Sequence, residues 1–113
     1  MDTVLEALRA SSLPPPGTQR MYAIAFDLDT ESLRRHYPSA SFKHAYDDIR
    51  AVLARHGFEW QQGSVYFGNT SVTPVTCVLA IQDVTNAFEW FAPSVRDIRM
   101  LRIEENNDLR PAI

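Results

Sequence analysis

MYAIAFDLDT, residues 21–30, alternates bulky apolar side chains with small ones and then presents a carboxylate. Alternation with a period of two is the mark of a half-buried strand. Tyr22, Ile24, Phe26 and Leu28 form one face, which belongs against helices in a core. Met21, Ala23, Ala25 and Asp27 form the other, where the two alanines leave room for a second sheet to approach. Asp27 stands at the carboxyl end of the strand. A carboxylate there is costly unless it is solvated, hydrogen-bonded or bound to a cation. The plain alternative is that Asp27 starts a turn or caps the next helix, as Asp often does.

Before this strand, residues 1–20 read as an N-terminal arm. MDTVLEALRA has Thr3 and Glu6 at capping-box spacing and Val4, Leu5 and Leu8 on one side, which predicts a short helix. SSLPPPGTQ follows as a stiff linker, since consecutive prolines favour an extended chain. The folded domain is therefore expected at residues 21–113.

After the strand, residues 29–38 predict a turn or a single helical turn around Leu33. Phe42, Ala45, Tyr46, Ile49, Val52 and Leu53 then recur at helical spacing, predicting a helix over 41–55 closed by Gly57. Residues 58–61 and 64–67 predict a hairpin turning at Gln62-Gly63. Thr73-Pro74 is an N-cap followed by proline at the first helical position, opening a second helix that runs to about Phe88. Its apolar set is Val75, Val78, Leu79, Ile81 and Val84. Trp90, Phe91 and Pro93 predict an aromatic turn at one end of the core, and residues 95–105 the last strand.

Strand, helix, strand, strand, helix, strand is the ferredoxin-like βαββαβ order, an α+β fold with a four-stranded antiparallel sheet. Two helices cover one face of such a sheet. The other face needs a partner or polar groups, so a homodimer through the open face is expected. In this topology the spatial strand order is fourth, first, third, second. Asp27, at the end of the first strand, then lies near Ser64 at the start of the third and Asp97 near the start of the fourth. If Val65 and Phe67 face the helices, Ser64 faces the open side; the same alternation around Ile98 and Met100 puts Asp97 there. Two carboxylates and a hydroxyl could supply a base, an acid and a donor, or part of a hard-metal site, and Arg96 and Arg99 could attract phosphate. The competing reading is a turn serine and a surface ion pair.

Composition limits the alternatives. Apolar residues make up 45% of the 113, enough for a single packed core. A net charge of −3 argues against a broad non-specific nucleic-acid footprint. No apolar run approaches a membrane span and no secretory segment opens the chain, so a cytoplasmic location is expected. The single Cys77 fits a reducing compartment and a place in the core. His36, His44 and His56 are spaced too widely for a close zinc-ligand pair.

MYAIAFDLDT, the hairpin GFEWQQGSVYFG and the run WFAPSVRDIRMLRIEEN resemble virulence-associated protein D (VapD), a small bacterial family similar to the CRISPR-associated Cas2-like endonucleases. The resemblance covers Met21 to about Leu109. It implies a ferredoxin-like homodimer that cleaves RNA, discussed as the toxin of a toxin–antitoxin pair, hence with an antitoxin partner. Position by position, the family's cleavage residues match Asp27, Ser64 and Asp97. The Cas2-like relatives imply a divalent metal such as magnesium between the two Asp27 of a dimer. Members of the family typically start at the position of Met21, so residues 1–20 are extra. Asp27-Leu28-Asp29-Thr30 also resembles the start of the haloacid-dehalogenase phosphotransferases. One residue of that motif is missing, and the chain lacks the length and repeating βα pattern of their core. A non-catalytic ferredoxin-like binding or regulatory dimer is the alternative function.

Overall fold

A computed structural model describes residues 21–113; the expected N-terminal arm lies outside the described residues. The elements are β1 (Met21–Leu28), α1 (Thr30–His36), α2 (His44–Arg55), β2 (Phe58–Gln62), β3 (Val65–Gly68), α3 (Pro74–Ala87), α4 (Phe91–Ser94), β4 (Val95–Ile103) and a 3₁₀ turn, Arg110–Ala112. The antiparallel sheet has the order β2-β3-β1-β4. This is the ferredoxin-like order expected from the pattern of elements, with α1 and α4 added in the connections that leave β1 and enter β4.

The even residues of β1 build the core as its alternation requires. Ile24, Phe26 and Leu28 are buried against Ala45, Ile49, Val52 and Leu53 of α2 and Cys77, Ala80 and Val84 of α3, with Tyr22 packed at the margin. Burying a side chain of this size contributes roughly 1.5–3 kcal/mol. Phe26 stacks on Tyr66 at 6.0 Å and meets the edge of Phe91 at 6.3 Å. Trp90 packs against Tyr37 and Phe88, so the aromatic plug forms as expected, although Pro93 stays at the surface.

Three local expectations need correction. First, α2 begins at His44, because residues 44, 45 and 46 donate to the carbonyls of 41, 42 and 43 in tight i→i−3 bonds. Second, α3 turns a different face inward. Its capping box at Thr73 and Thr76 forms, but small Cys77 and Ala80 face the sheet, allowing close approach, and Val75, Val78 and Leu79 are 66%, 56% and 53% exposed. Third, the hairpin turns one residue later. Gly63, with φ of 52°, takes the first central position, which makes Gly63-Ser64 the two-residue turn.

That one-residue displacement reverses the faces of β3. Val65 pairs with Ala25 and Phe67 with Ala23, so both lie on the open face, while Tyr66 pairs with Ile24 and is buried in the core.

Candidate active site

β1 has a neighbour on each side, and three of its four odd residues head the rows nearest the charged end of the open face. Phe67, Ala23 and Leu101 form the first; Val65, Ala25 and Arg99 the second; Asp27 and Asp97 the third. The face thus passes from apolar to charged between Ala23 and Asp27. Ala23 is buried between its two large neighbours, whereas the Asp27 side chain is 59% exposed.

Like charges directly opposite each other destabilise an antiparallel pair, so two aspartates in register need cations. Arg99 supplies one, its Nε lying 3.0 and 3.3 Å from the two carboxylate oxygens of Asp97. The contact runs through Nε and leaves the terminal guanidinium nitrogens for another anion. Arg96 supplies the other through an irregularity of the strand. Asp27 pairs with Asp97 but Leu28 pairs with Val95, so Arg96 is the extra residue of a β-bulge. Bulges re-aim side chains in this way beside functional sites. The Arg96 guanidinium lies 3.6 Å from Asp27 and 3.6 Å from Asp29.

Asp29 has the capping role that sequence alone allowed for Asp27. It is the N-cap of α1, accepting from the Glu31 backbone N–H at 3.2 Å and the Ser32 hydroxyl at 3.1 Å. The Ser32 hydrogen bond, then that of Glu31, and more weakly the charges of Arg96 and Arg35, hold its carboxyl below the ordinary value of 3.8. The Asp29 N–H donates to the Ser94 carbonyl at 2.8 Å, which ties the exit of β1 to the entry of β4. Asp27 is left with its carboxylate exposed and its backbone in the strand.

Ser64 falls on the row next to that of the two aspartates. It lies in the hairpin turn, and its carbonyl accepts from the Phe26 N–H at 3.1 Å. Its place in the register is opposite Phe26, one residue off the Asp27–Asp97 row. Asp27, Asp97, Arg96 and Arg99 are therefore gathered at one end of the open face, with Ser64 beside that end.

No protein-family model matches the chain. A protein of Riemerella anatipestifer named Endoribonuclease VapD 2 is 48% identical over 93 residues, covering 82% of this chain and 99% of that relative. Endoribonuclease VapD homolog of Helicobacter pylori is 50% identical over 93 residues, 82% of this chain and 96% of its own length. Endoribonuclease VapD of Dichelobacter nodosus is 43% identical over 88 residues, 78% and 91% of the two chains. The chain belongs to the VapD family. Its resemblance to VapD, seen first in three short motifs, thus extends over most of the chain.

In this VapD protein no group of three or more His, Cys, Asp or Glu side chains among the described residues could hold a metal ion. The divalent metal expected between the two Asp27 of a dimer would draw its carboxylates from two chains. Among the described residues no helix is long and apolar enough to cross a membrane. Cys77 is buried, and that burial pushes its thiol up, as befits a core residue. Sequence reasoning missed the cap at Asp29 and the bulge at Arg96. The first had a local signal, Asp29 with Ser32 three residues later at the start of a helix. The bulge had none, because it is a property of two paired strands.

Proposed function

We propose that this chain cleaves RNA at the Asp27–Asp97 end of the open face, as the names of its VapD relatives suggest. The observation that carries the proposal is the direct opposition of Asp27 and Asp97 in register, with a bulged Arg96 and a strand-borne Arg99 beside them. Asp27 is exposed enough to reach the 2′-hydroxyl of a bound ribose and takes its proton. The 2′-oxygen then bonds to the adjacent phosphorus, and the bond to the 5′-oxygen breaks, with a proton reaching the leaving oxygen from solvent or from a second group at the site. Arg96 and Arg99 bind the phosphate and offset its growing charge, which guanidinium groups do well through paired N–H donors. The products are a 2′,3′-cyclic phosphate and a 5′-hydroxyl.

Ser64, whose carbonyl is bonded to the residue before Asp27, serves as a positioning residue for the turn that borders the site. A divalent metal between the two Asp27 of a dimer would be held by carboxylates of both copies, and no step here is routed through one. The homodimer is supported by the apolar rows of the open face, in which Leu101 is 46% exposed beside Ala23 and Phe67. Pairing two copies there would set both charged ends along one interface. The role of toxin in a toxin–antitoxin pair is supported by the family resemblance alone.

Incubation with RNA, with and without chelator, tests the reading. Cleavage that persists with chelator, fails on 2′-O-methyl RNA and leaves a cyclic phosphate is the expected result. Cleavage of the 2′-O-methyl substrate would replace this mechanism with attack by water. No cleavage under either condition would favour a binding module.

A further inference from the structure

On the helix side of the sheet, beside the β2–β3 turn, lies a cavity of about 160 Å³ lined by Tyr46, Asp47, Arg50, Trp60, Gly63 and Tyr66. Its composition differs from that of the core around it. The Arg50 guanidinium sits over the Trp60 ring at 4.7 Å from the centroid, a cation–π layer with one charged and one apolar component. The indole is held in place by its own N–H, which donates to the Gly63 carbonyl at 2.8 Å, yet Trp60 is 41% exposed. Among the described residues no carboxylate forms an ion pair with Arg50, and neither the Tyr46 nor the Tyr66 hydroxyl has a hydrogen-bond partner.

The cavity is also joined to the proposed catalytic end. Tyr66 stacks on Phe26, the residue before Asp27. Gly63 precedes Ser64, whose carbonyl is bonded to the Phe26 N–H. Burial first, and then the negative charge of Asp27, push the Tyr46 phenol up, so that ring lies within electrostatic reach of the carboxylate.

We propose that this cavity is a nucleobase subsite, in which the base of a nucleotide next to the scissile phosphate stacks on the Arg50–Trp60 layer. The inference rests on the RNA-cleaving reading for the identity of the ligand. Single-stranded nucleic acid is held elsewhere by the same combination of aromatic faces, guanidinium planes and unpaired polar groups. A rigid indole requires little ordering when a base binds, and the Arg50 charge adds attraction for the phosphate that follows. The two free phenols and the Asp47 carboxylate give the edge of the base polar groups to meet. The proposal makes Trp60 a binding residue and Asp27 a reacting one, on opposite sides of the Phe26 backbone.

Binding can be read without cleavage. The Asp27→Asn protein is titrated with a short mixed-sequence oligoribonucleotide while tryptophan fluorescence is followed. Trp90 is buried in the core, so a quench reports Trp60. Quenching is expected, together with a loss of affinity of about 10- to 100-fold in Asp27→Asn carrying Trp60→Leu, the range that one stacked base accounts for. Trp60→Phe in the same background should restore most of that affinity, which separates stacking from misfolding. Equal affinity in the Leu and Asp27→Asn proteins would overturn the subsite. So would a Phe variant as weak as the Leu variant with both folded by circular dichroism. If the wild type cleaves no RNA and the quench and its loss still appear, the subsite stands and the cleavage reading falls. If the wild type cleaves but Trp60→Leu binds normally, the reverse holds.

Discussion

The two borders of β1 make different kinds of contact. Toward β4, eight residues pair from Met21 to Leu28, ending in a bulge beside two opposed aspartates. Toward β3, three residues pair, all apolar, and a two-residue turn follows at once. The long border gathers charge because β4 is an edge strand whose residues are mostly exposed, and ions there stay solvated. The short border lies inside the sheet and takes Tyr66 into the core. The charged groups accordingly stand on the side of β1 that water reaches, and the aromatic rings pack on the other.

The largest effect expected from this contrast comes from Asp27→Asn, which keeps size and shape and removes the charge. General-base groups typically contribute 10²–10⁴-fold, so cleavage of a labelled oligoribonucleotide should fall by about 100-fold or more while the circular dichroism spectrum is kept. Wild-type cleavage by a folded Asp27→Asn protein would remove the catalytic distinction between the borders.

Ser64→Ala sharpens the contrast from the other side. Ser64 lies off the aspartate row, and the bond that its carbonyl accepts from Phe26 survives the substitution. A drop in kcat/KM clearly smaller than that of Asp27→Asn is expected. An equal drop would mean that the hydroxyl reaches the reacting groups and that the short border shares in the chemistry.

The smallest effect concerns Asp29. Its folded pKa lies below the unfolded value, so the unfolded chain binds the extra proton first as pH falls. The stability that its bonds contribute is fully present above the unfolded value and is lost as pH drops through the folded one. The midpoint of thermal unfolding should therefore decline between about pH 5 and pH 2, and Asp29→Asn, which can still cap α1, should show a shallower decline. An identical profile in the two proteins would show that the cap carries no charge-dependent stability and weaken the link between α1 and the charged border.

Much of this was legible in the residues themselves. The even face of β1, the stripe of α2, the N-cap at Thr73, the terminator at Gly57 and the strand order all follow from periodicity and from local backbone preferences. Local signals suffice there because each depends on residues a few positions apart. The opposition of Asp97 to Asp27 was also within reach, since alternation along two correctly placed strands leaves them on one face. The face of β3 was not, because two adjacent glycine-containing turns fit the same hairpin, and a shift of one residue exchanges core for surface. The inward face of α3 escaped for a related reason: α3 is apolar nearly all round, so periodicity does not distinguish the side of Cys77 and Ala80 from that of Val75 and Val78. Only the tertiary structure selected the bulge at Arg96 and the meeting of Arg50 with Trp60. Each joins residues on separate elements, and the energy that selects it arises when those elements are packed together.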